Sequence, residues 1–117
     1  MREKIVPVAG DLVMDKLGLS AEDRATVTAE TEVFINCAAS VNFDDPLLEA
    51  LQINYFGSLR MLQLAKESPK CVAFTHVSTA YVNSYQPHNS IVEEKVYDLP
   101  RNEDPEEVIN RIIKLGP

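Results

Sequence analysis

The sequence predicts an α/β fold built on a parallel sheet. Two apolar stretches, Glu32–Ala39 (EVFINCAA) and Val72–Val82 (VAFTHVSTAYV), read as strands. Val33, Phe34 and Ile35 are consecutive and apolar, the pattern of a strand covered on both faces. A long segment with helical spacing lies between the two, and strands alternating with helices argue for parallel pairing.

The elements follow in order. Lys4–Ala9 (KIVPVA) reads as a short strand, with Pro7 placing it at an edge because proline has no N–H to pair. Gly10-Asp11-Leu12 ends it, and LVMDKLGL is a loop punctuated by Gly18. Ser20 caps a helix to about Ala29, with Glu22 and Asp23 at the positive end of the dipole and Ala25 and Val27 as modest anchors. The strand over Glu32–Ala39 closes on the small residues Ala38-Ala39-Ser40. Small residues there allow either close approach of a ligand or close helix–sheet packing. Asp45 caps the longest helix and Pro46 takes its first position. Leu48, Leu51, Tyr55, Leu59, Leu62 and Ala65 form its apolar face, and Pro69 marks its end. Gly57 sits mid-helix at a cost of about 1 kcal/mol relative to Ala, which argues for close packing there. The next strand delivers Ser78 and Thr79 to its carboxyl end, the edge at which open α/β sheets bind ligands. Asn83–Ser90 is a loop and residues 91–97 fit no single class. Asp104-Pro105-Glu106-Glu107 starts a last helix with Val108, Ile109, Ile112, Ile113 and Leu115 as its apolar set, stopped by Gly116-Pro117.

Composition narrows the function. The 117 residues suffice for one domain. A net charge of −7 argues against nucleic acid or an anionic membrane as partner, since both attract basic surface. No apolar run approaches a membrane span, and the first ten residues lack the apolar core of a secretion signal. Cys37 and Cys71 form no CxxC and have no nearby His. Placed on neighbouring strands they are offset by roughly 15 Å, beyond disulfide reach, so free thiols and a reducing compartment are expected.

Several segments together resemble the fatty acyl-CoA reductases, the male sterility branch of the extended short-chain dehydrogenase/reductases. They are GDL after the first strand, NCAASVNFDDPLLEALQINYFGSLRMLQLA, and HVSTAYVN followed by EEKVY. The resemblance covers nearly the whole chain. It implies a Rossmann-type sheet binding NADPH, and reduction of a long-chain acyl-CoA through an aldehyde to a fatty alcohol. It implies that Asp11 and Leu12 lie beside the adenine and that Ala38 and Ala39 pass close to the cofactor. It makes Asn54 the helix asparagine that organises the proton relay. It makes Ser78 the serine that hydrogen-bonds the substrate carbonyl, an oxyanion donor as charge develops. Relatives act at peroxisomal, endoplasmic or plastid membranes or in bacterial cytoplasm.

Two of the family's parts are missing from this sequence. The four glycines, Gly10, Gly18, Gly57 and Gly116, are too far apart to form a glycine-rich phosphate turn. No tyrosine has a lysine four residues on; Tyr97 has Arg101, but Pro100 intervenes, so a helix does not align them. The expectation is an internal piece of a larger reductase, inactive by itself, with an incomplete Rossmann-like parallel sheet. Its strands match three, four and five of the order 3-2-1-4-5-6. Four and five are neighbours, so the strands ending near Ala39 and Val77 pair, while the strand over Lys4–Ala9 lacks its partner. The remainder of the parent reductase is then its first partner. Two alternatives stand beside this: a non-catalytic remnant or interaction module, and another extended reductase such as a sugar-nucleotide epimerase.

Overall fold

The computed structural model describes residues 4–116, which leaves Pro117 of the helix-stop pair outside the described residues. The chain divides after Val77 into two compact units. The first holds the sheet. Strands β1 (Val33–Asn36) and β2 (Ala73–His76) pair in parallel, Val33 opposite Ala73 and Asn36 opposite His76. The pairing continues one bond further, from the Val77 N–H to the Asn36 carbonyl at 2.9 Å. Both strands lie towards the amino ends of the stretches that the sequence predicts, β1 ending three residues short of Ala39, and they are neighbours as expected for strands four and five. The strand predicted over Lys4–Ala9 does not form: these residues are exposed and carry no ladder. Strand hydrogen bonds come from a neighbour, and among the described residues no strand lies beside this segment.

Helix α1 (Ala21–Glu30) is capped as its sequence predicts, Ser20 Oγ accepting from the Asp23 N–H at 3.0 Å. Val27 reaches the core, whereas Ala25 stays exposed. Residues 47–66 are one continuous helical stretch of three parts: α2 (Leu47–Ala50), a π-helical segment (Leu51–Phe56) and α3 (Gly57–Lys66). Asp45 does not cap it. Pro46 is the N-cap residue, and the Asp45 carboxylate accepts instead from Ser40 Oγ and Asn42 Nδ2.

The π segment also changes which face is buried. A π turn takes more residues than an α turn, so the apolar stripe slips in phase. Leu59, on the predicted face, is 45% exposed, while Leu64, off that face, is buried at 3% and Ala65, the last of the predicted set, is buried at 4% as expected. They meet Phe34 and Leu17, with Met61, Phe74 and Cys71 around them. Gly57 is buried because the chain passes over it: a Cβ there would lie 3.1 Å from Leu12 Cβ. The glycine therefore packs against the loop after Gly10. In that loop Lys16 and Leu17 adopt left-handed φ of 50° and 63°, a cost of roughly 1 kcal/mol each that the burial of Leu17 offsets.

The core covers one face of the sheet only. Phe34 and Asn36 point to the helix and are buried, whereas Val33 and Ile35 on the other face are 52% and 66% exposed. The consecutive apolar run therefore marks a two-faced strand of which these residues cover one side. The cysteines are free thiols, Cys37 exposed and Cys71 half-buried.

The second unit holds a short 3-10 turn (Ala80–Asn83), another at Pro100–Asn102, and α4 (Pro105–Leu115). Asp104 caps α4, its Oδ1 accepting from the N–H groups of Glu106 at 2.8 Å and Glu107 at 3.2 Å, and Gly116 ends it at a φ of 70°. Val108, Ile109 and Ile112 are half-buried, while Ile113 and Leu115 are exposed.

Two outcomes are expected. Leu64→Ala should cost about 2–5 kcal/mol by cavity formation, and Leu59→Ala under about 1 kcal/mol, measured as loss of amide dispersion and of resistance to urea. The reverse ranking would contradict the phase slip. Glu67 is held below the usual carboxylate range by hydrogen bonds from Gln63 first and Arg24 second. A depressed folded-state value gives stability that is present at neutral pH and lost as pH falls through it. Glu67→Gln should therefore flatten that part of an acid titration.

Candidate active site

The candidate residues of the first unit stand on two loops, one after β1 and one after Gly10, and on the helical stretch that holds both. Cys37, Ala38 and Ala39 follow β1 and are all exposed, so the two alanines are not buried in helix–sheet packing. Their methyl groups leave the backbone open to a ligand. The chain just beyond is held by Asn54. Its Oδ1 accepts from the Ser40 N–H at 2.8 Å, and its Nδ2 donates to the Ser40 carbonyl at 3.1 Å. One side chain thus satisfies both main-chain groups of a residue leaving a strand, as a neighbouring strand would.

Asn54 stands in the π segment, and π turns of this kind recur at functional sites. Its carbonyl accepts from Ser58 Oγ at 2.7 Å. One turn on, Gly57 meets Leu12. Arg60 Nη1 donates to the Leu12 carbonyl at 2.9 Å, fixing that loop to the helix. Asp11 organises the loop itself: its N–H donates to the Leu17 carbonyl at 2.7 Å and its Oδ1 accepts from the Val13 N–H at 2.9 Å. The same two helical turns therefore hold the segment after Ala39 and the Asp11–Leu12 pair.

Ser78 opens the second unit and is exposed. Thr79 is occupied locally, its Oγ1 accepting from the Tyr81 N–H at 3.3 Å as the cap of the following turn. Tyr97 and Arg101 do not share a helix: Pro100–Asn102 is a 3-10 turn and Arg101 has a φ of 71°. The Tyr97 hydroxyl accepts from the Glu93 N–H at 2.8 Å. So the first unit gathers Asp11, Leu12, Ala38, Ala39 and Asn54, and Ser78 belongs to the second.

A polar cluster behind the strand ends has no counterpart in the sequence reading. Asn36 is 2% exposed. Its Nδ2 lies 3.2 Å from Ser58 Oγ and 3.1 Å from His76 Nδ1, while its Oδ1 has no hydrogen-bond partner among the described residues. A buried acceptor left unpaired costs about 1–3 kcal/mol. The signal was present: with Phe34 facing inward, the period of two places Asn36 inward as well.

Among the described residues no group of three or more His, Cys, Asp or Glu would hold a metal ion, and no helix is long and apolar enough to cross a membrane. For a dinucleotide the fit is partial. The exposed alanines and the Asp11–Leu12 loop suit its flanks. Gly10 serves the turn, where a Cβ would lie 3.0 Å from the Leu17 carbonyl, and provides no phosphate cradle.

These features define an α/β fold with a parallel sheet. The chain belongs to the NAD-binding family described as male sterility protein, which it matches over residues 1–114. It is 47% identical over 88 residues to fatty acyl-CoA reductase 1 of Arabidopsis thaliana, covering 74% of this chain and 18% of that protein. With the human fatty acyl-CoA reductase 1 it shares 34% over 111 residues, 95% of this chain and 21% of that protein. With the bovine fatty acyl-CoA reductase 2 it shares 36% over 100 residues, 86% and 19%. The chain thus spans about a fifth of the length of the curated relatives it matches.

Asn54→Leu should release the loop after Ala39. The Ser40 amide is then expected to exchange about five- to tenfold faster, the equivalent of a hydrogen bond of roughly 1 kcal/mol. Unchanged exchange would show that the helix does not hold it.

Proposed function

We propose that this chain is the middle of the NAD(P)-binding domain of a fatty acyl-CoA reductase, which reduces a long-chain acyl-CoA to a fatty alcohol with NADPH. The observation that carries the reading is the family match, which extends across residues 1–114. In this reading the chain is a partial Rossmann domain without the glycine-rich first βαβ unit and the YxxxK helix.

Asp11 and Leu12 then flank the adenine end of the cofactor, and Ala38 and Ala39 line its path along the strand edge. When bound, the cofactor supplies hydride. The residues of this chain orient and polarise. Ser78 Oγ donates a hydrogen bond to the substrate carbonyl oxygen, stabilising negative charge as it develops. Asn54 holds the loop after Ala39 and orders the proton relay, whose acid and lysine lie in parts this chain does not carry. The chain by itself is therefore inactive.

The intact reductase is expected to oxidise NADPH when a long-chain acyl-CoA is added, and the 117-residue chain is not. Ser78→Ala in the intact enzyme should lower kcat/KM by about 10²–10³-fold, the usual loss of one oxyanion donor. Turnover of a nucleotide sugar with no response to acyl-CoA would instead identify an epimerase-like reductase.

A further inference from the structure

The cluster around Asn36 does more than fill the core. Ser58 Oγ is committed as a donor, because the Asn54 carbonyl lies 2.7 Å away and can only accept. Towards Asn36, Ser58 is therefore an acceptor, and the amide group facing it must be the donating Nδ2. The reversed amide would also bury an NH2 with two unpaired protons at the Oδ1 position, where a single acceptor now stands. With the amide so fixed, both of its protons are used, one on Ser58 and one on His76 Nδ1 at 3.1 Å. Nδ1 must then carry a lone pair, which leaves the ring proton on Nε2.

We propose that Asn36 is a positioning residue whose buried amide locks His76 as the Nε2–H tautomer and, through Ser58, ties that ring to the backbone of the Asn54 turn. Asn36 and His76 are opposite each other in the ladder, so the link spans both strands and the helix. It holds a hydrogen-bond donor at the carboxyl end of β2, two residues before Ser78. Its role in catalysis rests on the assignment of Asn54 above; the tautomer does not.

The test is long-range ¹H–¹⁵N correlation on the histidine-labelled protein in sucrose buffer, alkaline enough to keep imidazoles neutral. The chain has two histidines, so His88→Gln assigns the signals. The expected result is an unprotonated Nδ1 and a protonated Nε2 at His76. Asn36→Asp offers only acceptors and should move the proton to Nδ1, whereas Ser58→Ala should leave the tautomer unchanged. A protonated Nδ1 in the unsubstituted protein, or the tautomer mixture of free imidazole, would overturn the proposal without touching the family assignment. A loss of activity in the intact reductase on Ser78→Ala with a mixed tautomer would uphold the assignment and refute the lock.

Discussion

The first unit depends on one contact, the face of α3 against the inner face of the two-stranded sheet. A parallel pair has no hairpin to hold it and needs a crossover between its strands. Here the crossover is the helical stretch over residues 47–66, and its Leu64 and Ala65 meet Phe34. That contact sets the position of everything else in the unit. It presses Gly57 onto Leu12, brings Asn54 to Ser40, and leaves Val33 and Ile35 uncovered on the opposite face. The core is thin: Leu17, Phe34, Leu64 and Ala65 are the buried hydrophobic residues among those described. Small cores of this kind are marginal because buried apolar area barely offsets chain entropy.

Much of this was legible in the sequence where the determinants are local. Ser20 and Asp104 announced their caps because a capping oxygen acts within three residues. The two apolar runs announced strands, and their order announced parallel pairing. What escaped was non-local. The strand over Lys4–Ala9 had the right residues, but a strand exists only with a partner. Within the long helix Leu64 is buried and Leu59 is not, because a π turn leaves no residue signature and slips the stripe after it, although Ala65 is buried as the pattern predicts. Asp45 had a cap's chemistry, but the loop at Ser40 and Asn42 claimed its carboxylate first.

The candidate site follows the same division. Asp11, Leu12, Ala38, Ala39, Asn54 and Ser78 were picked out by resemblance to a family, and the geometry adds how three of them, Asp11, Leu12 and Asn54, are held. Asn54 and Gly57 form a brace between two loops, the one at Ser40 and the one at Leu12. Asn36 went unnoticed as one polar letter in an apolar strand, although its inward position followed from Phe34. Its unpaired Oδ1 is the kind of local cost that cores carry where polar groups are needed for orientation.

The central claim is that this segment supplies the middle of a reductase's cofactor edge. The most direct measurement is the structure of the intact reductase with NADPH bound. The account predicts adenine beside Asp11 and Leu12, the chain of the cofactor passing Ala38 and Ala39, and its nicotinamide end approaching Ser78. A cofactor seated on the opposite sheet face, against Val33 and Ile35, would contradict it.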